Sequence, residues 1–321
     1  MGRLHRVAAA LAAVTIVVAG CSKAGSGAGA SPSDTASQSS PGSATEAFPV
    51  TLTDDEGTTI TLEAAPRRIV TFAPANTEIL FALGLGERVV GVSGSYDNFP
   101  PAARSVEHVG GTTGVEPNVE KVVSLRPDLL LATSGGEGWK KRLRDLGIPV
   151  FTINGTGLRD VIHDIVTVGK LTGASDEAAR LAARMGREAS AIESRVSGDA
   201  QVTCFYEVYF QPPVYTVGPG SFVYDLLQDA GCDPVTEGLK NAYPQLSVEA
   251  VVQDDPHVYL VDSLSAPSVA AVGGRPGYDA LSAVREHRVY RIDSDLVTRP
   301  GPRVVSGLRA LARALHPGAF R

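Results

Sequence analysis

A long amphipathic stretch, Ser175 to Ser197, constrains the fold more than any other part of the sequence. Its apolar residues recur at intervals of three and four and its arginines lie off that stripe, which predicts one helix with a single buried face. Gly173 is predicted to close the preceding helix in the left-handed conformation, and Ser175 to cap the new one. At about 1.5 Å per residue, such a helix would span roughly 34 Å, the width of a small domain.

The segments on either side of this helix resemble each other in two places. Asn118 to Leu131 reads NVEKVVSLRPDLLL and Ser247 to Leu260 reads SVEAVVQDDPHVYL, so each predicts a short helix, a proline break and a buried strand. Ile69 to Gly84 and Val214 to Gly231 each predict a strand, a proline-containing loop, a helix and a glycine stop. These repeats favour an α/β protein of two similar lobes with parallel sheets, joined by a single long backbone helix. A surface helix of one large domain is the alternative.

Domain boundaries follow from this pattern: an N-terminal lobe at 48–157, a helical connector at 158–198 and a C-terminal lobe at 199–321. The first lobe opens with a β-hairpin and continues with alternating strands and helices, which indicates parallel βαβ units. The second ends in a loop and a closing helix. The hairpin is predicted at Val50 to Leu62, the strands at Ile69 to Phe72, Val89 to Val92, Leu129 to Ala132 and Val150 to Ile153, the loop at Asp293 to Pro302 and the last helix at Arg303 to Leu315.

The first 47 residues are predicted to be a targeting and anchoring segment rather than part of the folded domain. Arg3 and Arg6 precede the apolar run Val7 to Val18, and Val18 to Cys21 reads VAGC, the pattern of a bacterial lipoprotein cleavage site. We therefore predict a signal peptide at 1–20, lipidation of Cys21 and a disordered Ser, Gly and Pro tether at 21–47, with the protein anchored on the extracytoplasmic face of the cell membrane. A secretory signal with a chance cysteine is the alternative.

Two further cysteines, Cys204 and Cys232, are predicted to form a disulfide, because thiols of exported proteins meet an oxidising environment. Two buried thiols are the alternative.

The composition and the missing motifs argue against several functions. The formal net charge is −6, and no basic run suggests nucleic-acid binding. The common hydrolase, zinc-protease, P-loop and dinucleotide motifs are absent from the sequence, so no catalytic residues and no cofactor are predicted. The histidines show no paired ligand spacing, although a direct metal site using His108, His257 or His287 stays open. An exported two-lobed protein of this kind suits ligand capture between its lobes.

Several motifs, in order along the chain, resemble the cobalamin and ferric-siderophore receptors of ABC importers, with the closest likeness to the cobalamin receptor. The resemblance covers about Val50 to Pro317. It implies two α/β lobes joined by one backbone helix, with little hinge closure. The motifs are PRRIV at 66–70, APANTE at 73–78, YDNFPP at 96–101, NVE at 118–120, RPD at 126–128, and Ser294-Asp295 with Arg299 and Arg303.

The resemblance also implies roles for particular residues. Glu120 and Glu249 correspond to the acidic residues, one in each lobe, that dock onto arginines of the permease dimer. Where the cobalamin receptors carry tryptophans, this chain has Thr112-Thr113-Gly114 and Thr133-Ser134-Gly135. The ligand contacts implied are Pro74, Ala75, Asn76, Tyr96, Tyr215, Asp295 and Arg299.

The sequence thus predicts a monomeric, lipid-anchored receptor that delivers a metal chelate to an ABC permease. Cobalamin or another corrinoid is favoured over a ferric siderophore or haem. A lipid-anchored hydrolase and a structural surface lipoprotein are the alternatives from other classes.

Overall fold

The computed structural model describes residues 48–111 and 115–321. The predicted signal peptide, Cys21 and the tether therefore lie outside the described residues, as do Thr112, Thr113 and Gly114.

The N-terminal lobe is a parallel sheet preceded by a hairpin, as the sequence predicts. In its described part, the order of the strands in the sheet is β4-β3-β5-β6, with all three pairings parallel. The hairpin strands β1 and β2 pair antiparallel. The elements are β1 (Val50–Thr53), β2 (Thr59–Leu62), β3 (Ile69–Thr71), α1 (Pro74–Ala82), β4 (Val89–Gly91), α2 (Val119–Ser124), β5 (Leu129–Ala132), α3 (Glu137–Asp145) and β6 (Val150–Thr152), with short 3₁₀ helices at Gly86–Arg88 and Pro101–Ser105.

Two consecutive helices, α4 (Leu158–Thr172) and α5 (Ser175–Val196), connect the lobes. Gly173 ends α4 with a φ of 74°, as predicted. The helices approach so closely that a Cβ on Gly169 would lie 2.3 Å from the Cβ of Ala178. The structure corrects one detail, because α5 begins at Ser175 with Ala174 in the cap position, so Ser175 belongs to the first turn.

The C-terminal lobe contains a mixed sheet rather than the expected parallel one. All of residues 199–321 are described, and the order of its strands is β10-β8-β7-β11-β12, with β9 also paired to β7. Strand β8 runs antiparallel to β7, and β10 antiparallel to β8. The elements are β7 (Val202–Tyr209), β8 (Val214–Thr216), α6 (Phe222–Asp229), β9 (Cys232–Pro234), β10 (Gln245–Leu246), α7 (Val248–Asp254), β11 (Val258–Asp262), α8 (Val269–Gly273), α9 (Ser282–Arg285), β12 (Val289–Ile292), α10 (Ser294–Val297) and α11 (Val304–Leu315), with 3₁₀ turns at Tyr278–Ala280 and Pro317–Phe320.

The first sequence repeat corresponds to a structural repeat. Side chains of Asn118 and Ser247 accept hydrogen bonds from the third residue of α2 and of α7. Each helix is followed by a residue with positive φ, Arg126 at 48° and Asp255 at 37°, and then by a proline and a buried strand. Residues other than glycine rarely adopt a positive φ. Its presence at Arg126 and at Asp255, each directly before a proline, therefore indicates that the two turns share one design.

The second repeat matches in its helix and glycine but not in its strand. Gly84 and Gly231 have similar φ angles, 76° and 84°. By its place in the sheet, however, the counterpart of β3 is β7, because β4-β3-β5-β6 repeats as β9-β7-β11-β12 with parallel pairing. Strand β8 is therefore an antiparallel addition. A short apolar run predicts a buried strand but does not encode its direction.

A disulfide between Cys204 and Cys232 joins β7 to β9, with the Cα atoms 5.9 Å apart. Both cysteines are buried in the large apolar core, which also takes in the inner face of α5. The stretch predicted as a loop at Asp293 to Pro302 contains the short helix α10, which places Asp295 on a helical turn.

Candidate functional site

A cavity of about 230 Å³ lies between segments of the two lobes. On the N-terminal side its wall comes from residues that directly follow β3, β5 and β6. The carboxyl ends of parallel strands are where ligands bind in open α/β sheets. The wall is built from Pro74–Asn76, Thr133, Asn154, Gly155 and Asp164 on one side and Phe222, Tyr243 and Thr298–Pro300 on the other.

The predicted contacts Pro74, Ala75 and Asn76 do border this cavity, at the start of α1. Asn76 is buried and its amide nitrogen donates to the carbonyl of Ala132 at 3.0 Å, which ties the start of α1 to the end of β5. This bond fixes the loop after β3 against its neighbouring strand.

A neighbouring cavity of about 220 Å³ shares Thr133 with the first. Phe72 and Trp139 meet there edge to face, with ring centroids 5.0 Å apart. Trp139 is the single tryptophan of the chain and is buried. Thus, although Thr133 to Gly135 replace an expected tryptophan, an aromatic pair stands beside that loop, which sequence reasoning missed.

Acidic residues of the hairpin turn accept hydrogen bonds from two loops beside the cleft. Glu56 accepts hydrogen bonds from the N–H of Gly135 at 2.9 Å and from Lys140 at 2.6 Å, and Asp55 accepts one from the N–H of Asn154. Lys140 is fully buried. Burial alone would raise the pKa of Glu56, but the bonds from Lys140 and Gly135 outweigh it and lower the pKa to about 2. The hairpin therefore positions the loops after β5 and β6.

The predicted ligand residue Arg299 borders the cavity, but both of its terminal nitrogens already contact protein acceptors. One terminal nitrogen lies 3.1 Å from Glu78 and 3.2 Å from Asn98, and the other lies 2.5 Å from Asp295. Glu78 is a buried residue of α1, so this contact links the two lobes. The structure therefore gives no support to the idea that Arg299 offers a free fork of donors to the ligand.

Arg303 completes the same inter-lobe network. Two of its guanidinium nitrogens donate hydrogen bonds to the two carboxylate oxygens of Glu78, at 2.7 and 2.8 Å. The same guanidinium lies 4.1 Å from the ring centroid of Phe99. The hydrogen bond with Glu78 raises the pKa of Arg303. A bidentate pair of this kind is both strong and directional.

The predicted aromatic contacts Tyr96 and Tyr215 do not border the cavity. Tyr96 is 56% exposed and Tyr215 is 39% exposed. Tyr215 lies on β8 beside Tyr209, with ring centroids 6.4 Å apart. Both are surface residues of this structure.

Glu120 and Glu249 are exposed and occupy equivalent positions, the second residue of α2 and of α7. The Glu249 backbone N–H and the Ser247 side chain hold the pKa of Glu249 below its usual range. Both glutamates therefore lie on the surface at the start of their helices.

Asp164 is the charged cavity residue that sequence reasoning missed. It lies on α4, is only 6% exposed and borders the cavity. Burial, with Asp55 and Asp160 nearby, raises its pKa to about 7. The sequence does hold a signal, because Asp164 lies within the apolar stripe formed by Val161, Ile165 and Val168.

A model of the periplasmic binding protein family matches residues 69–296, well over half of the chain. The chain belongs to the periplasmic binding protein family. The members of this family bind ligands for transport.

The relatives agree with this assignment. The chain is 36% identical over 291 residues to an uncharacterized ABC transporter substrate-binding lipoprotein of Bacillus subtilis, covering 86% of this chain and 88% of that protein. It is 32% identical over 279 residues to a cobalamin-binding protein of Halobacterium salinarum, covering 84% and 74%. The solved periplasmic haem-binding protein RhuT of Roseiflexus superposes with a TM-score of 0.71 at 26% identity, covering 79% and 99%. This periplasmic binding protein is therefore a substrate-binding protein of ABC transporters with the expected two-lobed α/β fold.

Two further observations concern residues 48–111 and 115–321. None of the helices there has the length and apolar character needed to cross a membrane. The same residues include no group of three or more His, Cys, Asp or Glu side chains arranged to hold a metal ion, so the open possibility of a direct histidine site finds no support in them.

Proposed function

We propose that this protein captures a metal chelate in the cleft between its lobes and delivers it to an ABC permease, with cobalamin or another corrinoid as the favoured ligand. The observation that carries the proposal is the cavity at the carboxyl ends of β3, β5 and β6, closed on its far side by the C-terminal lobe. The name of the Halobacterium relative supports the choice of ligand.

A ferric siderophore or haem is the second candidate within the same class. The haem-binding neighbour supports it, since its fold matches over 79% of this chain. A lipid-anchored hydrolase, the candidate from another class, gains no support from the comparisons, which point to binding proteins for transport.

A ligand screen tests the proposal. We expect cyanocobalamin or cobinamide to raise the melting temperature of the purified full-length protein by about 5 °C or more. Ligand at about 100 times its Kd adds roughly 2.7 kcal/mol, and each kcal/mol shifts the melting of a protein of this size by about 2–4 °C. Haemin and ferric siderophores are the comparison set. If none of these chelates shifts the melting curve, the proposed function is wrong.

The docking role of Glu120 and Glu249 is proposed from their exposure and equivalent positions. The double charge reversal Glu120→Arg with Glu249→Arg is expected to abolish uptake while leaving chelate affinity near that of the wild type, because it sets like charge against permease arginines. Cellular uptake of labelled chelate and titration of the purified variant measure the two effects.

The control for this variant is Glu87→Arg with Glu286→Arg, which changes the net charge equally at exposed positions, one in each lobe. Uptake should survive in the control. Normal uptake by the Glu120 and Glu249 variant would show that the permease docks elsewhere.

The anchor is part of the same proposal. Lipidation of Cys21, with residues 21–47 as a tether, would hold a monomeric receptor on the extracytoplasmic face of the membrane, close to its permease. The Bacillus relative is named a lipoprotein, which supports this location.

A further inference from the structure

The carboxyl group of Asp164 faces the cleft without a side-chain partner. Among the described residues no side-chain donor reaches it, and the nearby backbone N–H of Gly155 favours its ionised form. A Cβ on Gly155 would lie 2.9 Å from one Asp164 oxygen, so the carboxyl packs against the loop that follows β6. Asp164 is more than nine-tenths buried, yet it borders the cavity. A buried carboxyl with spare acceptor capacity, beside an open space, is placed to receive a ligand donor.

The groups around Asp164 make this side of the cavity negative. Besides burial, the charges of Asp55 in the hairpin turn and of Asp160 on α4 raise the pKa of Asp164, and burial together with the charge of Asp160 raises the pKa of Asp225 on α6. Two basic side chains of α4, His163 and Arg159, lie near other carboxylates, those of Asp160 and Asp229.

The opposite wall does not offset this charge. Arg299 borders the cavity, but its guanidinium is paired with Glu78 and Asp295. Above pH 7, where Asp164 is ionised, ligand carboxylates would therefore meet acceptors on one side and an already neutralised arginine on the other.

We propose that Asp164 is the ligand-recognising carboxyl of this cleft, and that it accepts an N–H donor, a primary amide or an ammonium group, from a neutral or cationic chelate. The proposal rests on the proposed function and narrows its ligand class. Corrinoids carry primary amides around their rim, whereas haem presents carboxylates and catecholate siderophores are anionic. The cleft thus selects corrinoids, or siderophores with an ammonium group, over anionic chelates.

The two donor types predict different pH behaviour. The pKa of Asp164 is raised to about 7 by burial and by Asp55 and Asp160. An ammonium group prefers the ionised carboxylate, so its affinity should rise as the pH increases through 7. A primary amide both donates and accepts, so it can pair with either form of the carboxyl, and its affinity should change little.

Calorimetric titration of the full-length protein tests the proposal, with cyanocobalamin as the amide probe, ferrioxamine B as the ammonium probe and haemin as the anionic probe. Asp164→Leu should weaken the bound neutral or cationic chelate by roughly 10- to 100-fold, the scale of a hydrogen bond to a charged group. Asp164→Asn should largely keep cyanocobalamin affinity and lose ferrioxamine affinity. The control is Asp145→Asn, an exposed carboxylate paired with Lys141, which should bind as the wild type does.

The outcomes separate the two proposals. If no chelate binds the wild type, the proposed function fails and this inference falls with it. If a chelate binds the wild type and binds Asp164→Leu equally well, only the role of Asp164 is overturned. If haemin bound more tightly than both other probes, the proposed preference of the cleft for neutral or cationic chelates would be overturned. Melting curves of each variant confirm that the protein remains folded.

Discussion

Replacing Arg275 by leucine is expected to lower the free energy of unfolding by about 3–5 kcal/mol, the scale for removing one partner of a buried ion pair. Its partner Glu207 is fully buried on β7. Both carboxylate oxygens accept from Arg275, one of them at 2.9 Å, and the hydroxyl groups of Tyr259 and Ser265 donate to the same carboxylate. Without the guanidinium, the Glu207 charge would remain buried with only hydroxyl partners.

Arg275 also contributes packing that leucine cannot replace. Its guanidinium lies 3.7 Å from the ring centroid of Phe210 and 5.3 Å from that of Tyr278. These contacts hold the segment after β7 against the segment after β11, so the loss should be visible as a lower urea midpoint and a lower melting temperature.

A second substitution distinguishes charge burial from lost packing. Adding Glu207→Gln to Arg275→Leu should recover much of the stability, because the uncompensated carboxylate is gone. The control is Arg180→Leu, whose pair with Glu177 is exposed on α5, and it should cost less than about 1 kcal/mol. If Arg275→Leu costs no more than this control, the Glu207 network does not stabilise the lobe as the structure indicates.

The second large effect is the pH dependence of stability caused by Asp164. Its folded pKa of about 7 lies above the ordinary value of 3.8, so the folded protein holds a proton that the unfolded chain releases. The carboxyl therefore contributes fully to stability below pH 3.8, and its contribution is lost as the pH rises through 7. Each pKa unit corresponds to about 1.4 kcal/mol, so the total reaches up to about 4 kcal/mol.

Asp164→Asn removes this dependence, because asparagine has the same shape and does not ionise. We expect the variant to gain stability relative to the wild type as the pH increases, by up to about 4 kcal/mol above pH 7. Urea unfolding of the ligand-free proteins between about pH 4 and pH 8 measures the difference. Asp145→Asn should show no such trend, since its carboxylate is exposed and paired with Lys141. If the free energies of unfolding of Asp164→Asn and of the wild type changed with pH in parallel, the raised pKa of Asp164 would be contradicted.

The element pattern was largely predictable because it depends on local spacing and on local capping. The apolar period of α5 and the left-handed Gly173 are both signals within one or two helical turns. The strands of the first lobe were found within one residue of their predicted bounds for the same reason. The similarity of the two lobes followed from a repeat that spans only a helix, a proline and a strand.

Strand direction in the second lobe could not be predicted in this way. β8 has the short apolar pattern that also fits a parallel strand, and its antiparallel pairing depends on the hydrogen-bonding edge that β7 leaves free beyond β9. The two-residue strand β10 then pairs antiparallel with β8. Pairing is a property of two distant segments, and residue periodicity within one of them carries no information about it.

For the site, the sequence located part of the cleft wall, at Pro74 to Asn76 and at Arg299, and the tertiary structure decided which other side chains face the cleft. Pro74, Ala75 and Asn76 were predicted and do line the cavity, whereas Tyr96 and Tyr215 lie on the surface. Arg299 looked like a free donor because its partner Glu78 is 221 residues away in the chain. Asp164 interrupts the apolar stripe of α4, and only the folded chain places it against the loop after β6 and beside the cavity. The charge of a buried group depends on neighbours that only the folded chain brings together, so the sequence determined the fold class and the tertiary structure decided the chemistry of the cleft.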